Sequence, residues 1–392
     1  MSTSAQKVYL VSACRTPIGS FRSSLASLNA PTLGSFAIAA AVQKSGVPPS
    51  AVQEVYMGQV IQAGSGQAPA RQAALMAGLD LGTPATTVNK VCASGLKATM
   101  LASQSLALNH RQVMVAGGME SMSNAPFYIP RGELPYGGTK LHDGVVHDGL
   151  FDATCQLSMG ECAEKTAREE RISRECQDRY AIRSYQRAAA AWENNIFQDE
   201  VIPVEIHHKK GKTVFSEDEE YKRCDFSRFA SLRPAFVKEN GTITAANAST
   251  LNDAACAMVL MNQIGLEQTG ATPMAEVICF GDAAVAPVDF AVAPVRAIEC
   301  VLKQANMKKE DVALWEINEA FAVAALANIK CLDLDPEIVN VHGGAVSLGH
   351  PIGMSGARIV AHLAHALVAG QFGLAAACNG GGGASAMIIK KL

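Results

Sequence analysis

Cys92, His350 and Cys378 stand in three separate turn-forming stretches, Val91-Cys92-Ala93-Ser94-Gly95, Gly349-His350-Pro351 and Cys378-Asn379-Gly380-Gly381. A thiol ahead of a helix, an imidazole to take its proton and a second thiol beside open backbone are the parts of acyl transfer through a thioester. A helix N-terminus and a histidine neighbour both lower a thiol's pKa, so His350 is expected to hold Cys92 as thiolate. The plainer reading of Cys92 is a buried structural cysteine. A second thiol can exchange a proton with a carbon acid if its pKa lies near working pH, which is a role open to Cys378. The glycines that follow it leave N–H groups unshielded, as an oxyanion hole needs. A phosphate-cradling loop is the rival, but the lysine of a nucleotide P-loop is absent. Asn318 either orients a water or a histidine, or caps the helix that follows. His362 and His365 have helical spacing; with no carboxylate to complete a metal site, they read as ordinary helix residues.

These residues must be positioned by regular elements. Val8 to Ser12 and Glu54 to Val60 read as strands, Gly34 to Ser45 and Ala70 to Ala77 as helices, with Pro69 opening the second. Ala93 to Leu108 is small or apolar on every face, the mark of a buried helix. Gln112 to Ala116 reads as a strand ended by Gly117-Gly118. Late in the chain Ala313 to Ile317, Ile338 to Val341, Gly373 to Ala377 and Ala386 to Ile389 read as strands and Ser355 to Val368 as a helix. Strand, glycine loop, buried helix, strand and glycine turn thus occur twice, an internal duplication of an α/β unit. Cys92 and His350 each precede the buried helix of one copy. A pseudo-twofold packing would bring them together.

Residues 121–246 differ in composition, with most of the tyrosines and many charges. Ser173 reads as the N-cap of a helix to about Asn194, with Glu175 in its first turn. Lys209, Lys210, Lys212, Lys222, Arg223, Arg228, Arg233 and Lys238 form a basic stretch broken by Glu217-Asp218-Glu219-Glu220. It is either a solvated insertion or a docking surface for a phosphorylated ligand.

The 392 residues suffice for two or three domains, and 49% hydrophobic content against 18% charged allows a large core. A net charge of −3 gives no global pull toward nucleic acid or membrane. Eleven cysteines without a Cys-x-x-Cys pair argue against a disulfide framework or zinc ribbon and for a reducing compartment. No apolar run approaches the roughly 20 residues of a membrane span. The residues from Met1 to Lys7 show no signal or transit pattern. Lys390-Lys391-Leu392 lacks the small first residue of a peroxisomal tripeptide.

Val91-Cys92-Ala93-Ser94-Gly95, Asn318-Glu319-Ala320-Phe321, Gly349-His350-Pro351-Ile352-Gly353 and Cys378-Asn379-Gly380-Gly381-Gly382 together resemble the four active-site segments of the thiolases, in order and spacing. The stretches from Val115 to Ser123 and from Asn240 to Ala248 add two more, so the resemblance covers essentially the whole chain. Tyr136-Gly137-Gly138 with Asp148-Gly149-Leu150, and Glu217 to Arg223, narrow it to the mitochondrial-type branch that acts on acetoacetyl-CoA. The resemblance implies an α/β fold with a duplicated five-layer αβαβα core. Residues 1–120, completed by 247–270, would form one half and 271–392 the other. Residues 121–246 would be an inserted loop domain for coenzyme A docking and tetramer contacts.

The same resemblance implies interconversion of two acetyl-CoA with acetoacetyl-CoA and coenzyme A. Cys92 would carry the acetyl group, with His350 activating it and then helping to hold the thioester oxygen. Cys378 would move the proton of the second acetyl-CoA. Asn318 would position a water in one oxyanion hole, and the N–H groups of Cys92 and Gly380 would form the other. Coenzyme A would meet Tyr185, Arg223, Cys224, Asp225, Arg228 and Ser249. Potassium would lie at Tyr185, Ala245, Ala246, Ala248 and Val346, with no covalently bound cofactor. The assembly would be a homotetramer, a dimer of dimers, without nucleic acid or membrane partners, in the mitochondrion or alternatively the cytoplasm. Ser158 stands where many relatives have histidine, which bears on the acyl and pantetheine pocket. A thiolase of broader chain length, a carrier-protein condensing enzyme and a non-catalytic lipid-carrier or scaffold relative are the alternatives. The second would replace Cys378, and the third would lose one of the four segments.

Overall fold

The computed structural model describes residues 6–208 and 211–392, so the chain's first residues and Lys209 and Lys210 of the basic stretch lie outside it. Its main sheet contains β1 (Val8–Arg15), β2 (Glu54–Gly58), β3 (Ala85–Val88), β4 (Val113–Ser121), β5 (Asn252–Asn262), β6 (Ala275–Ala284), β7 (Val312–Ile317), β8 (Phe372–Asn379) and β9 (Gly383–Lys391). The strand order is β7-β8-β9-β6-β1-β5-β4-β2-β3.

That order is a duplication about the β1–β6 contact. In the first half β1, β5 and β4 pair antiparallel in turn, then β2 and β3 continue in parallel. In the second half β6, β9 and β8 pair antiparallel and β7 continues in parallel. The counterpart of β3 is only a single parallel bridge between Trp315 and Val339. Ile338 to Val341 is therefore not the strand its β-branched residues suggest. Pro336 opens a short turn that ends at Ile338, which leaves no room for a ladder.

The helices are α1 (Ala30–Ser45), α2 (Pro69–Met76), α3 (Ser94–Ala107), α4 (Met159–Glu169), α5 (Arg174–Glu193), α6 (Ala293–Gln304), α7 (Ala322–Leu332) and α8 (Ile352–Ala366). One core joins α1 and α2 to the outer face of the first half-sheet, and another joins α6 and α7 to the outer face of the second. Between them α3 and α8 pack on each other and on both half-sheets, with Leu96, Met100, Met354, Ile359 and Val360 inside. The layers run α, β, α, β, α. Both middle helices are largely buried: α8 from Ile352 to Ala364, including Arg358 and His362, and α3 except at Gln104 and the partly exposed Lys97, Leu101, Ser105 and Ala107.

Glycine lets these two helices cross in backbone contact. A Cβ on Gly95 would sit 2.7 Å from the Ala357 nitrogen, and one on Gly356 would sit 2.6 Å from the Leu96 nitrogen. The crossing lies near both N-termini, so it sets the loops before α3 and α8 side by side. Those loops carry Cys92 and His350. Gly117 and Gly118 do not end β4, which runs on to Ser121. Gly118 thins it where the start of α8 presses on the sheet, and Gly117 makes room for the Cys256–Ala257 backbone of β5.

Between β4 and β5 lies the composition-shifted segment. It carries α4, α5 and an antiparallel hairpin of Val204–His208 with Gly211–Phe215. Ser173 accepts from the Cys176 N–H, Glu175 lies in the first turn and Asn194 follows the last residue of α5.

Candidate active site

Cys92 follows a strained turn. Val91 has φ 47°, a left-handed conformation that costs a β-branched residue. The Ser94 hydroxyl closes the turn, donating to the Val91 carbonyl at 2.6 Å and accepting the Lys90 N–H at 2.8 Å. The Cys92 side chain then lies against Val60, Ile61, Met122 and Ile352. Burial pushes its pKa up to about 11, and the N–H groups of Gly380 and of Cys92 itself partly offset this. Burial thus favours the neutral thiol over the resting thiolate expected from the sequence. Two N–H groups do not outweigh the cost of an anion in this setting.

His350 is held in one orientation. Its N–H donates to Asn252 Oδ1 at 2.9 Å. The Ser355 hydroxyl donates to the Pro351 carbonyl at 2.9 Å and lies 2.6 Å from His350 Nδ1. With that hydroxyl proton already committed, we assign the ring proton to Nδ1, which leaves Nε2 as a bare lone pair. Nε2 is buried and has no partner. Burial, aided by the charge of Arg358, pushes the imidazole pKa down to about 3. The resting pair is a neutral thiol and a neutral imidazole with a free acceptor.

Cys92 and His350 both line a cavity of about 160 Å³, walled by Met122, Leu150, Met159, Phe236 and Phe321. Cys378 and Asn318 do not line this cavity; each is 1% exposed. Burial raises the Cys378 pKa strongly, and the nearby Cys92 adds to the rise, so the two thiols cannot easily be anions together. The Asn318 N–H donates to the Ala376 carbonyl at 2.9 Å, beside the start of the Cys378 segment. Both polar atoms of its side chain are buried without a partner. Asn318 is not a helix cap, since α7 begins after Phe321 and has no side-chain cap.

Tyr185, Arg223, Cys224, Asp225, Arg228 and Ser249 all line a second cavity of about 660 Å³. The two cavities share Phe236, Ala248, Ser249, Thr250 and Leu251, forming one groove from the inserted segment to Cys92. Of the potassium candidates, Tyr185, Ala245, Ala246 and Ala248 line it, while Val346 is fully buried and gives its N–H to Glu319 at 3.1 Å. Among the described residues the carbonyls of Thr244 and Asn247 accept hydrogen bonds and those of Ala245, Ala246 and Ala248 accept none. Free carbonyls beside a phenol fit a hard monovalent cation. Ser158 caps α4, forming a reciprocal box with Glu161, and sets Met159 into the catalytic cavity.

Sequence reasoning missed several supports. Glu120 is fully buried and accepts the N–H groups of Val60 at 3.0 Å, Gly353 at 2.9 Å and Ile61 at 3.3 Å. It ties the Val60–Ile61 loop to the His350 loop on either side of Cys92. A carboxylate at the end of the apolar run Val113–Met119 was the available signal. His362 is no ordinary helix residue: its Nδ1 lies 2.8 Å from Glu200 and its Nε2 2.9 Å from His342 Nδ1. A carboxylate does reach it, yet no group of three or more His, Cys, Asp or Glu among the described residues could hold a metal ion.

Residues 8–264 match the family description "Thiolase, N-terminal domain" and residues 271–391 match "Thiolase, C-terminal domain". The chain belongs to the thiolase family. It is 60% identical over 387 residues to Acetyl-CoA acetyltransferase B, mitochondrial, of Xenopus laevis, covering 98% of this chain and 92% of that one. It is 59% identical over 388 residues to the mitochondrial Acetyl-CoA acetyltransferase of Homo sapiens, covering 99% and 91%. The Acat5 thiolase of Ascaris suum, solved in complex with coenzyme A, matches with a TM-score of 0.96 and 49% identity over 99% of this chain and 100% of its own. The acetyl-CoA acetyltransferase of Bacillus anthracis matches at 0.97 and 37% over the whole of both chains.

Proposed function

We propose that this chain is an acetyl-CoA C-acetyltransferase whose acetyl carrier is Cys92. It joins two acetyl-CoA into acetoacetyl-CoA and coenzyme A, and cleaves acetoacetyl-CoA in reverse. The observation that carries the assignment of roles is the unpartnered Nε2 of His350 sharing a small apolar cavity with Cys92.

The steps follow from the geometry. The Cys92 thiol passes its proton to His350 Nε2 as its sulfur attacks the acetyl-CoA carbonyl. Negative charge develops on the carbonyl oxygen, and the N–H groups of Cys92 and Gly380 are the donors within reach. The coenzyme leaves as a thiol, taking the proton from His350. Acetylated Cys92 cannot be an anion, so the charge coupling that raises Cys378 is removed. Cys378 then passes its own proton to the freed His350 Nε2, takes a proton from the methyl of the second acetyl-CoA as thiolate, and the carbanion attacks the acetyl group on Cys92. The Cys92 sulfur leaves and takes the proton held on His350, which restores the neutral pair. The buried, unpartnered amide of Asn318 suits a water that supports the thioester oxygen of this second substrate, beside His350.

The coenzyme's nucleotide end takes the large cavity, where Arg223 and Arg228 supply cationic forks and Ser249 lies toward the thiol. Potassium, when bound, would take the free carbonyls of Ala245, Ala246 and Ala248 and stiffen that wall. We assign a homotetramer to the assembly: Ile129, Leu134, Tyr136 and Leu141 are large, apolar and exposed in one stretch of the insertion. A mitochondrial location follows the relatives' names.

The test is acetylation followed by exchange. Brief exposure to acetyl-CoA should place one acetyl group per subunit on the Cys92 peptide, read by mass spectrometry. Cys378→Ala should still be acetylated but should exchange deuterium from solvent into acetyl-CoA at least about tenfold more slowly. A label found only on another cysteine sinks the carrier assignment. Wild-type exchange in Cys378→Ala sinks the base assignment.

A further inference from the structure

The mechanism uses the N–H of Gly380 but says nothing of what aims it. Gly380 sits in a run of glycines, and Gly381 has φ 81°, so the backbone here has little stiffness of its own. Both ends of the next peptide plane are nevertheless held. The Gly380 carbonyl accepts from Asn379 Nδ2 at 2.7 Å, and the Gly381 N–H donates to Asp152 Oδ2 at 3.0 Å.

Asp152 comes from the inserted segment, not from either half of the core. It lies in a two-residue strand, Phe151–Asp152, paired with Leu157–Ser158. Its other oxygen accepts the N–H groups of Thr154 at 2.8 Å and Cys155 at 2.9 Å. The carboxylate is thus fixed in its own turn before it reaches Gly381, and the residue is only 5% exposed. Burial works to raise its pKa, but the N–H groups of Cys155, Thr154 and Gly381 outweigh that and keep it ionised. An ionised carboxylate, gripped by one turn and gripping another, is a rigid anchor.

We propose that Asp152 is a positioning residue for acyl transfer: it anchors the Gly380–Gly381 peptide and so aims the Gly380 N–H at the oxygen that turns negative as Cys92 is acetylated. The proposal rests on the assignment of that N–H as an oxyanion donor. Asp152 contacts the Cys155 side chain but neither Cys92, Cys378 nor the substrate, and it moves no proton.

The test separates two reactions of the same sulfur. Acetylation develops an oxyanion, whereas alkylation by iodoacetamide displaces iodide at a saturated carbon and develops none. Asp152→Asn keeps the shape but can set an amide N–H₂ against the Gly381 N–H; Asp152→Ala removes the anchor. In both variants we expect the single-turnover acetylation rate of Cys92 to fall roughly 10- to 100-fold. Because the Gly380 N–H also lowers the Cys92 pKa, alkylation is followed against pH and compared at equal thiolate fraction, where it should stay within about threefold, with KM for acetyl-CoA within about twofold, the pattern of a transition-state contact. Asn379→Ala loosens the other end of the peptide without touching the Asp152 turn, and should show the same selective loss even if the Asp152 variants fold poorly. Wild-type acetylation in soluble Asp152→Ala or in Asn379→Ala overturns the proposal. So does an equal fall in acetylation and alkylation, which would mark a collapsed thiol environment. If the wild-type enzyme carries no acetyl group on Cys92, the mechanistic reading fails first, and that is seen before any variant is made.

Discussion

A neutral thiol next to a neutral imidazole behaves differently from an ion pair, and the difference shows in pH dependence. The Cys92 pKa is pushed up to about 11 by burial, and that of His350 down to about 3. Below pH 11 the thiol form therefore dominates, and the thiolate fraction grows about tenfold with each pH unit. Iodoacetamide alkylation of Cys92 should climb steadily from pH 6 to pH 9. A plateau reached near pH 7 would mean a resting thiolate and would refute the neutral pair. Cys92, His350 and Cys378 stood out in the sequence because thiols and an imidazole among turn-forming glycines are chemically conspicuous, and the structure sets Cys92 and His350 on one cavity. Ser355, Glu120 and Asn252 were not. Each acts through a hydrogen bond, and Glu120 and Asn252 reach partners 59–60, 98 or 233 positions away. Ser355 is only five residues from His350, but its role depends on where its proton goes.

At the scale of elements, catalytic geometry depends on the crossing of α3 and α8. Gly356→Ala places a methyl 2.6 Å from the Leu96 nitrogen, and backbone cannot give way as a side-chain end can. The helices should separate, at a cost of about 1–3 kcal/mol. Because each helix starts at a catalytic loop, kcat should fall at least about tenfold along with the melting temperature. A lower melting temperature with unchanged kcat would show that the loops are set by their own contacts. Both buried helices were readable from composition, since small and apolar residues dominate them. Their contact was not, because a glycine's reason for being there lies on the other helix. The same blindness made Gly117-Gly118 look like the end of β4. Ile338–Val341 failed differently: β-branched residues suggest a strand but cannot supply a ladder partner.

For the molecule as a whole, the insertion must be locked to both halves and, under the proposed function, must also hold the coenzyme. The lock is Arg15 of β1, which donates to Glu200 at 2.7 Å and to both oxygens of Asp218 at 2.8 and 3.0 Å, while Glu200 meets His362 of α8. None of this was legible, since three charged residues and a histidine far apart in sequence look like surface. Arg15→Met strands two buried carboxylates and should cost about 3–5 kcal/mol, read as a large fall in melting temperature. Burial raises Glu200, but His362 and Arg15 outweigh that and hold it well below its ordinary 4.5. The wild type's advantage should be full above pH 4.5 and shrink as the pH falls below it. A gap that widens in acid would contradict the lock. Coenzyme docking was legible only in outline. Among the described residues of the basic stretch, Lys212 pairs with Glu205 and Lys222 with Glu217, Arg233 and Lys238 do not line the large cavity, and Arg223 and Arg228 do. The nucleotide end of the coenzyme does not change during reaction, so contacts to it stabilise ground and transition states alike. Arg223→Ala should therefore raise KM for acetoacetyl-CoA and coenzyme A about tenfold with kcat nearly unchanged, and the effect should weaken as salt screens the charge. A pantetheine thioester without the nucleotide should be turned over equally well by wild type and variant. If both substrates instead lose kcat equally, Arg223 supports the catalytic loops and the coenzyme docks elsewhere.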